Sequence, residues 1–143
     1  HFWVVDSEAT DHIARDRVGF VEYRRVPPGS RKVYMGNESS VEVLGIGTFK
    51  LEMRRGRTLY LHDVLYAPDI QCNLDSVISM MSLGFSFCFE NNGVSIYLGT
   101  IFYGFGYLSY GFLVLDVDDS SYYKNAIGSV SYIASFCDND SMR

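Results

Sequence analysis

Phe2-Trp3-Val4-Val5-Asp6-Ser7 is the stretch on which the fold turns: four consecutive bulky apolar residues end at a carboxylate. A run of this length, β-branched and aromatic and followed by a polar loop, reads as a buried strand. Its end delivers Asp6 straight out of the core, so the first structural element also supplies the first candidate for chemistry.

Outward from it the chain breaks into strand-length pieces. Asp6 to Asp11 reads as a loop, followed by a polar stretch that ends at Pro27-Pro28-Gly29. Lys32 to Met35, Ser40 to Leu44, Gly47 to Met53 and Thr58 to Leu61 alternate or cluster apolar residues, with turns at Gly36-Asn37 and Arg55-Gly56, as successive hairpins do. Asp63 to Tyr66 is a further apolar run, closed by the turn Ala67-Pro68-Asp69. The period then changes. Val77, Ile78, Met80 and Met81 fall on one helical face between Asp75-Ser76, good N-cap residues, and Gly84, a good stop, which predicts one short helix. Phe85 to Phe89, Val94 to Leu98, Thr100 to Tyr103 and Phe112 to Val117 supply more strands, and residues 118–143 read as a linker-like tail.

Composition agrees with an all-β domain. A chain of 143 residues, 48% hydrophobic and 15% aromatic, is enough for one sizeable core, and 13 Gly with three Pro favour strands and turns. Cys72, Cys88 and Cys137 are odd in number and widely spaced, without a Cys-x-x-Cys pair. They encode neither a disulfide framework nor a metal site, so no metal or cofactor is expected and a reducing, cytoplasmic setting fits. The chain opens at His1 with no charged-then-apolar leader, and reads as a piece of something longer that is not secreted.

A net charge of −5 weighs against strong nucleic-acid binding by this domain. The charge is uneven, with ten basic against eight acidic residues up to Arg57 and two against nine beyond it. The cluster Arg54-Arg55-Gly56-Arg57 reads as a solvated hairpin tip in preference to an RNA contact. Asn91 to Leu115 carries no charge over 25 residues, a length that crosses a bilayer. Gly93, Gly99, Gly104, Gly106 and Gly111 interrupt it, however, and make it aromatic strands joined by turns, with no membrane span expected.

Asp6 has a bland reading and a chemical one. An Asp-Ser after a strand is commonly a turn or capping aspartate. Peptide hydrolysis by carboxylates takes two of them sharing a proton, one activating water while the other protonates the scissile carbonyl oxygen. This chain has one strand-end Asp-Ser; the second such dipeptide, Asp75-Ser76, opens a helix. A working site therefore requires two copies of the chain. His12 and His62 read as structural, because no Cys nucleophile stands at motif spacing and Ser7 adjoins the aspartate.

Trp3-Val4-Val5-Asp6-Ser7-Glu8-Ala9-Thr10-Asp11-His12 resembles the Trp-x-x-Asp-Ser-Gly-Ala-x-x-His opening of the protease region in copia-type retrotransposon Gag-Pol polyproteins. Val33-Tyr34-Met35-Gly36-Asn37, Gly45-Ile46-Gly47-Thr48, Leu61 to Pro68 and Asn73-Leu74 with Ser76-Val77 follow in family order. Gly84 to Phe89, Tyr97-Leu98, Phe102 to Gly104 and Gly111 to Asp116 are similar to the segment that bridges such a protease to an integrase region. The resemblance covers residues 1–117 and implies a retropepsin-like β-barrel with one short helix, the tail leading toward an integrase region that is missing here. It further implies a homodimeric aspartic endopeptidase, with Asp6 of each subunit in the dyad and polyprotein peptide segments as substrate. Ser7 and Ala9 would support the dyad loop, and the hairpin around Gly45 and Gly47 would be the flap.

Two residues depart from that pattern. Glu8 stands where the family has the glycine that lets two dyad loops meet. At roughly 6 Å and an effective dielectric of about 20, each added charge costs a neighbouring carboxylate about 3 kcal/mol, which works against dyad chemistry and dimer closure alike. Asp75 stands where the family carries an apolar residue, costly if buried and unpaired, harmless as an exposed N-cap. Two readings follow: an endopeptidase impaired by Glu8, and a non-catalytic β-barrel remnant that self-associates or binds peptide strands.

Overall fold

The N-terminal apolar run becomes the middle of the main sheet. The computed structural model describes residues 2–118, and the tail read over 118–143 lies, but for Asp118, outside them. In chain order the elements are β1 (Trp3–Asp6), β2 (Ile13–Ala14), β3 (Phe20–Arg25), β4 (Lys32–Tyr34), β5 (Ser40–Glu42), β6 (Gly45–Glu52) and β7 (Thr58–Tyr66). There follow β8 (Asn73–Ser76), α1 (Val77–Ser82), β9 (Phe85–Glu90), β10 (Gly93–Leu98), β11 (Ile101–Ser109) and β12 (Phe112–Leu115). Ten strands form one mixed sheet in the order β3-β6-β7-β2-β8-β1-β12-β11-β10-β9, and β4 and β5 pair separately as a hairpin. The domain is all-β with one short helix, as the sequence predicts.

β1 runs parallel to β8, with Val5 opposite Asp75 and Asp6 opposite Ser76, and antiparallel to β12. The sheet curls so that the β6–β7 end reaches the other half. Met53 bridges Val117, and Arg54 N–H donates to the Asp116 carbonyl at 2.9 Å. Arg57 N–H donates to the Tyr103 carbonyl at 2.9 Å, and Asp118 N–H to that of Glu52 at 2.7 Å. Inside the curl lies one core cluster around Trp3, Phe49, Leu51, Leu59 and Leu61, with Trp3 and Phe49 edge to face at 4.9 Å. A second cluster, around Val4, Ile13, Leu65, Ile70 and Leu74, carries Val33, Met35 and Val41 of the β4–β5 hairpin and its flanks.

Several elements differ from the sequence expectation. β2 and β3 arise within the stretch read as loop and polar linker, and β8 forms just before the helix. Thr58 to Leu61 and Asp63 to Tyr66 are one strand, β7. The helix forms where expected, with Ser76 as its N-cap accepting from Ser79 N–H at 3.1 Å and Gly84, at φ 97°, beyond its end. Its buried face is Val77 and Met80, while Ile78 and Met81 are exposed. Asp75 is no exposed N-cap: it is a wholly buried residue of β8, because strand pairing continues one residue beyond it.

Gly45 and Gly47 are correspondingly different from a flap. They lie in β6 between β3 and β7, with Gly45 opposite Arg25 and Tyr66, and Gly47 opposite Tyr23 and Val64. A Cβ at Gly47 would overlap the Glu22 carbonyl oxygen, and one at Gly45 the Tyr23 ring, so glycine here permits close strand packing. Gly47→Ala is expected to lower stability by about 3 kcal/mol in urea unfolding; an unchanged midpoint would mean that β3 does not lie against β6 as described.

Candidate functional site

Asp6 ends β1 and is half-buried, while Ser7 and Glu8 are exposed. The Asp6 Oδ1 accepts hydrogen bonds from Glu8 N–H at 2.8 Å and Ala9 N–H at 3.2 Å, so the carboxylate folds the loop around itself. One oxygen is thereby oriented by backbone donors. Glu8 is absent from the non-glycine residues at positive φ, so its backbone conformation is open to any side chain and the folded subunit does not itself demand glycine there.

The start of α1 fixes this loop from below. Ser76 Oγ donates to the Ala9 carbonyl at 2.6 Å, and Ser79 Oγ to that of Thr10 at 3.0 Å. Ser76 N–H donates to His12 Nδ1 at 2.9 Å, which pins the loop's far end. The hydroxyls that tether the loop to the rest of the domain are thus those of Ser76 and Ser79, and Ser7 is exposed. Nothing in local sequence marks them, because both sit some 70 positions along the chain from the loop they hold. Ser76→Ala removes a helix cap and a loop tether together, and a loss of about 1–3 kcal/mol in thermal unfolding is expected. A melting curve unchanged from the parent would refute the tether.

Beneath Ser76 lies the least satisfied group of the described residues. Both oxygens of Asp75 are buried without a hydrogen-bond donor. His12 Nδ1 stands 3.3 Å from Asp75 Oδ1, but that nitrogen already accepts from Ser76 N–H. His12 is buried, whereas His62 is exposed, 3.3 Å from Thr48 Oγ1. Asn73, also buried, straps the strands by accepting from Arg15 N–H at 2.8 Å and donating to the Phe2 carbonyl at 3.1 Å.

A cavity of about 580 Å³ opens beside Asp6. Asp6, Glu8, Ala9, Thr10 and Asp11 form one wall; Ile13, Leu65, Ile70 and Leu74 form an apolar floor. The opposite wall is the chain from Arg31 to Gly36, comprising β4 and the entry to its turn. Arg31 reaches across to Asp11, with 3.8 Å between Nη2 and Oδ1. The hairpin closes at Met35 to Ser39, where Met35 N–H donates to Ser39 at 2.8 Å and Glu38 takes φ 68°. The element that faces Asp6 across the cavity is therefore β4 with the start of its turn, and Gly45 and Gly47 do not line the cavity. Burial raises the proton affinity of the Asp16 carboxylate against the opposing pull of Arg15, and Asp16 lies off the cavity.

Among the described residues no three His, Cys, Asp or Glu side chains gather to hold a metal ion. No helix among them is long and apolar enough to cross a membrane.

A strand-end aspartate held by its own loop's amides stands beside a cavity walled by β4, in an all-β domain. The chain belongs to the family described as Pol polyprotein, beta-barrel domain, which matches residues 3–85. Over 89 residues, 62% of this chain and 7% of the relative, it is 37% identical to the Retrovirus-related Pol polyprotein from transposon TNT 1-94 of Nicotiana tabacum. It is 37% identical over 76 residues to a putative transposon Ty5-1 protein of Saccharomyces cerevisiae, covering 52% of this chain and 47% of that one. With the Retrovirus-related Pol polyprotein from transposon RE1 of Arabidopsis thaliana it shares 31% identity over 94 residues, 66% of this chain and 6% of that polyprotein. The chain thus spans under half the length of each. No solved structure matches it.

Proposed function

We propose that this domain is a retropepsin-like aspartic endopeptidase module of a retrotransposon Pol polyprotein, in which Asp6 of two copies forms the catalytic dyad and Glu8 impairs it. The observation that carries this reading is the Asp6 carboxylate, fixed by Glu8 N–H and Ala9 N–H at the wall of a cavity with an apolar floor. An extended peptide laid in that cavity would run between the Asp6 loop and the β4–β5 hairpin, so the flap role falls to β4–β5. In the dimer one Asp6 activates water and the other, protonated, donates to the scissile carbonyl oxygen. Substrates are segments of the polyprotein, and cysteines that form no disulfide with one another, Cys72 and Cys88, fit a reducing, cytoplasmic setting.

Glu8 supports the second reading, a non-catalytic barrel. Its exposed carboxylate joins Asp6 at the same cavity wall, so a closed dimer would gather four carboxylates about one axis. Peptide cleavage by the parent chain, Glu8→Gly, and Glu8→Gly carrying Asp6→Asn separates the readings. Cleavage by the plain revertant that Asp6→Asn abolishes supports the protease; no cleavage by any of the three leaves the non-catalytic barrel.

A further inference from the structure

The main sheet ends at β9, whose outer edge has no strand partner among the described residues. Natural edges are blunted by lysine, proline, bulges or shortness. β9 has none of these: Phe85-Ser86-Phe87-Cys88-Phe89-Glu90 pairs with β10 at every position without a register break, and its one charge is at the last residue. Phe85 and Phe87 pack against the main core cluster. Phe89 alternates onto that same face but is 67% exposed, so the core runs out one aromatic residue short of its cover.

We propose that a second copy of this chain covers this edge, adding its own β9 antiparallel, with Phe87 of the two copies meeting on the two-fold axis. The strand's own sequence argues for that occupant. An antiparallel two-fold runs perpendicular to the sheet and pairs only residues of the same face, which restricts the axis to a residue centre. Centred on Phe87, the register sets Phe85 opposite Phe89, Phe87 opposite itself and Phe89 opposite Phe85, three aromatic cross-strand pairs that extend one core into the next. On the other face Ser86 meets Cys88, and Glu90 meets Gly84, so no like charges oppose each other. Centring on Ser86 or Cys88 leaves two aromatic pairs and sets the remaining phenylalanine against Leu83 or Asn91.

This contact is distinct from the Asp6 pairing proposed above. β9 lies four strands from β1 along the sheet, so pairing through β9 does not itself join the two Asp6 loops. It offers an assembly route that does not require the dyad.

The test uses the full chain with Cys137→Ser, leaving buried Cys72 and exposed Cys88 as the thiols. Sedimentation at high protein concentration is expected to show reversible dimerisation, and Phe89→Lys to weaken it by more than about tenfold while the melting curve stays at the parent's. Adding Ser86→Cys places a thiol opposite Cys88 of the second copy, and mild oxidation is expected to yield a covalent dimer far in excess of the parent's. A chain monomeric at every concentration, association indifferent to Phe89→Lys, or equal cross-linking with and without Ser86→Cys each overturns the proposal.

Discussion

Asp75→Val is expected to stabilise the domain by about 1–3 kcal/mol, the range for a buried polar group whose hydrogen bonds are unmet. Asp75 is fully buried, its two oxygens have no donor, and it sits in a strand between β1 and β2 where a β-branched side chain suits the pleat. Removing one partner of a true buried ion pair would instead cost about 3–5 kcal/mol, because the other charge is stranded. Here His12 is not stranded, since its Nδ1 keeps the Ser76 N–H. A higher urea midpoint for Asp75→Val is the predicted outcome, and a lower one would mean that His12 and Asp75 form a stabilising ion pair.

The second large effect is on activity. Glu8→Gly is expected to raise peptide cleavage by about a hundredfold, the equivalent of some 3 kcal/mol of relieved repulsion between carboxylates that share the axis. Asp6→Asn in that background is expected to reduce cleavage by a factor on the order of 10³ or more, since the proposed dyad would supply both the base and the acid. The fold should tolerate the first change, because Glu8 is exposed and its φ is unstrained, so a gain would be chemical and not a repair of folding. Equal cleavage by parent and revertant would show that Glu8 does not impair the site.

Much of this architecture is legible in the sequence because it rests on local pattern. The apolar run ending at Asp6, the hairpins from Lys32 onward and the cap at Ser76 each carry their signal within a few residues. What was not legible depends on neighbours distant in the chain. β3 alternates weakly because it is a sheet edge whose side chains are mostly exposed. β8 shows no strand pattern because it is buried at all four positions while carrying Asn, Asp and Ser, whose places come from pairing with β1 and β2. The same pairing carries Asp75 into the core and gives Ser76 both the cap and the Asp6 loop. Gly45 and Gly47 suggest a mobile tip by residue type, but β3 and β7 close on both sides of them. Glycine in a strand marks a close approach as readily as a turn.

Whether one Asp6 from each of two chains makes the site is decided by mixing subunits. Glu8→Gly protein is mixed with Glu8→Gly/Asp6→Asn protein at fixed total concentration, and cleavage is followed as the intact fraction falls. A dyad shared across the dimer predicts a fall with the square of that fraction, to about a quarter at equal amounts, because only dimers of two intact chains cut. A linear fall, to about half, would contradict it and place the whole site within one chain.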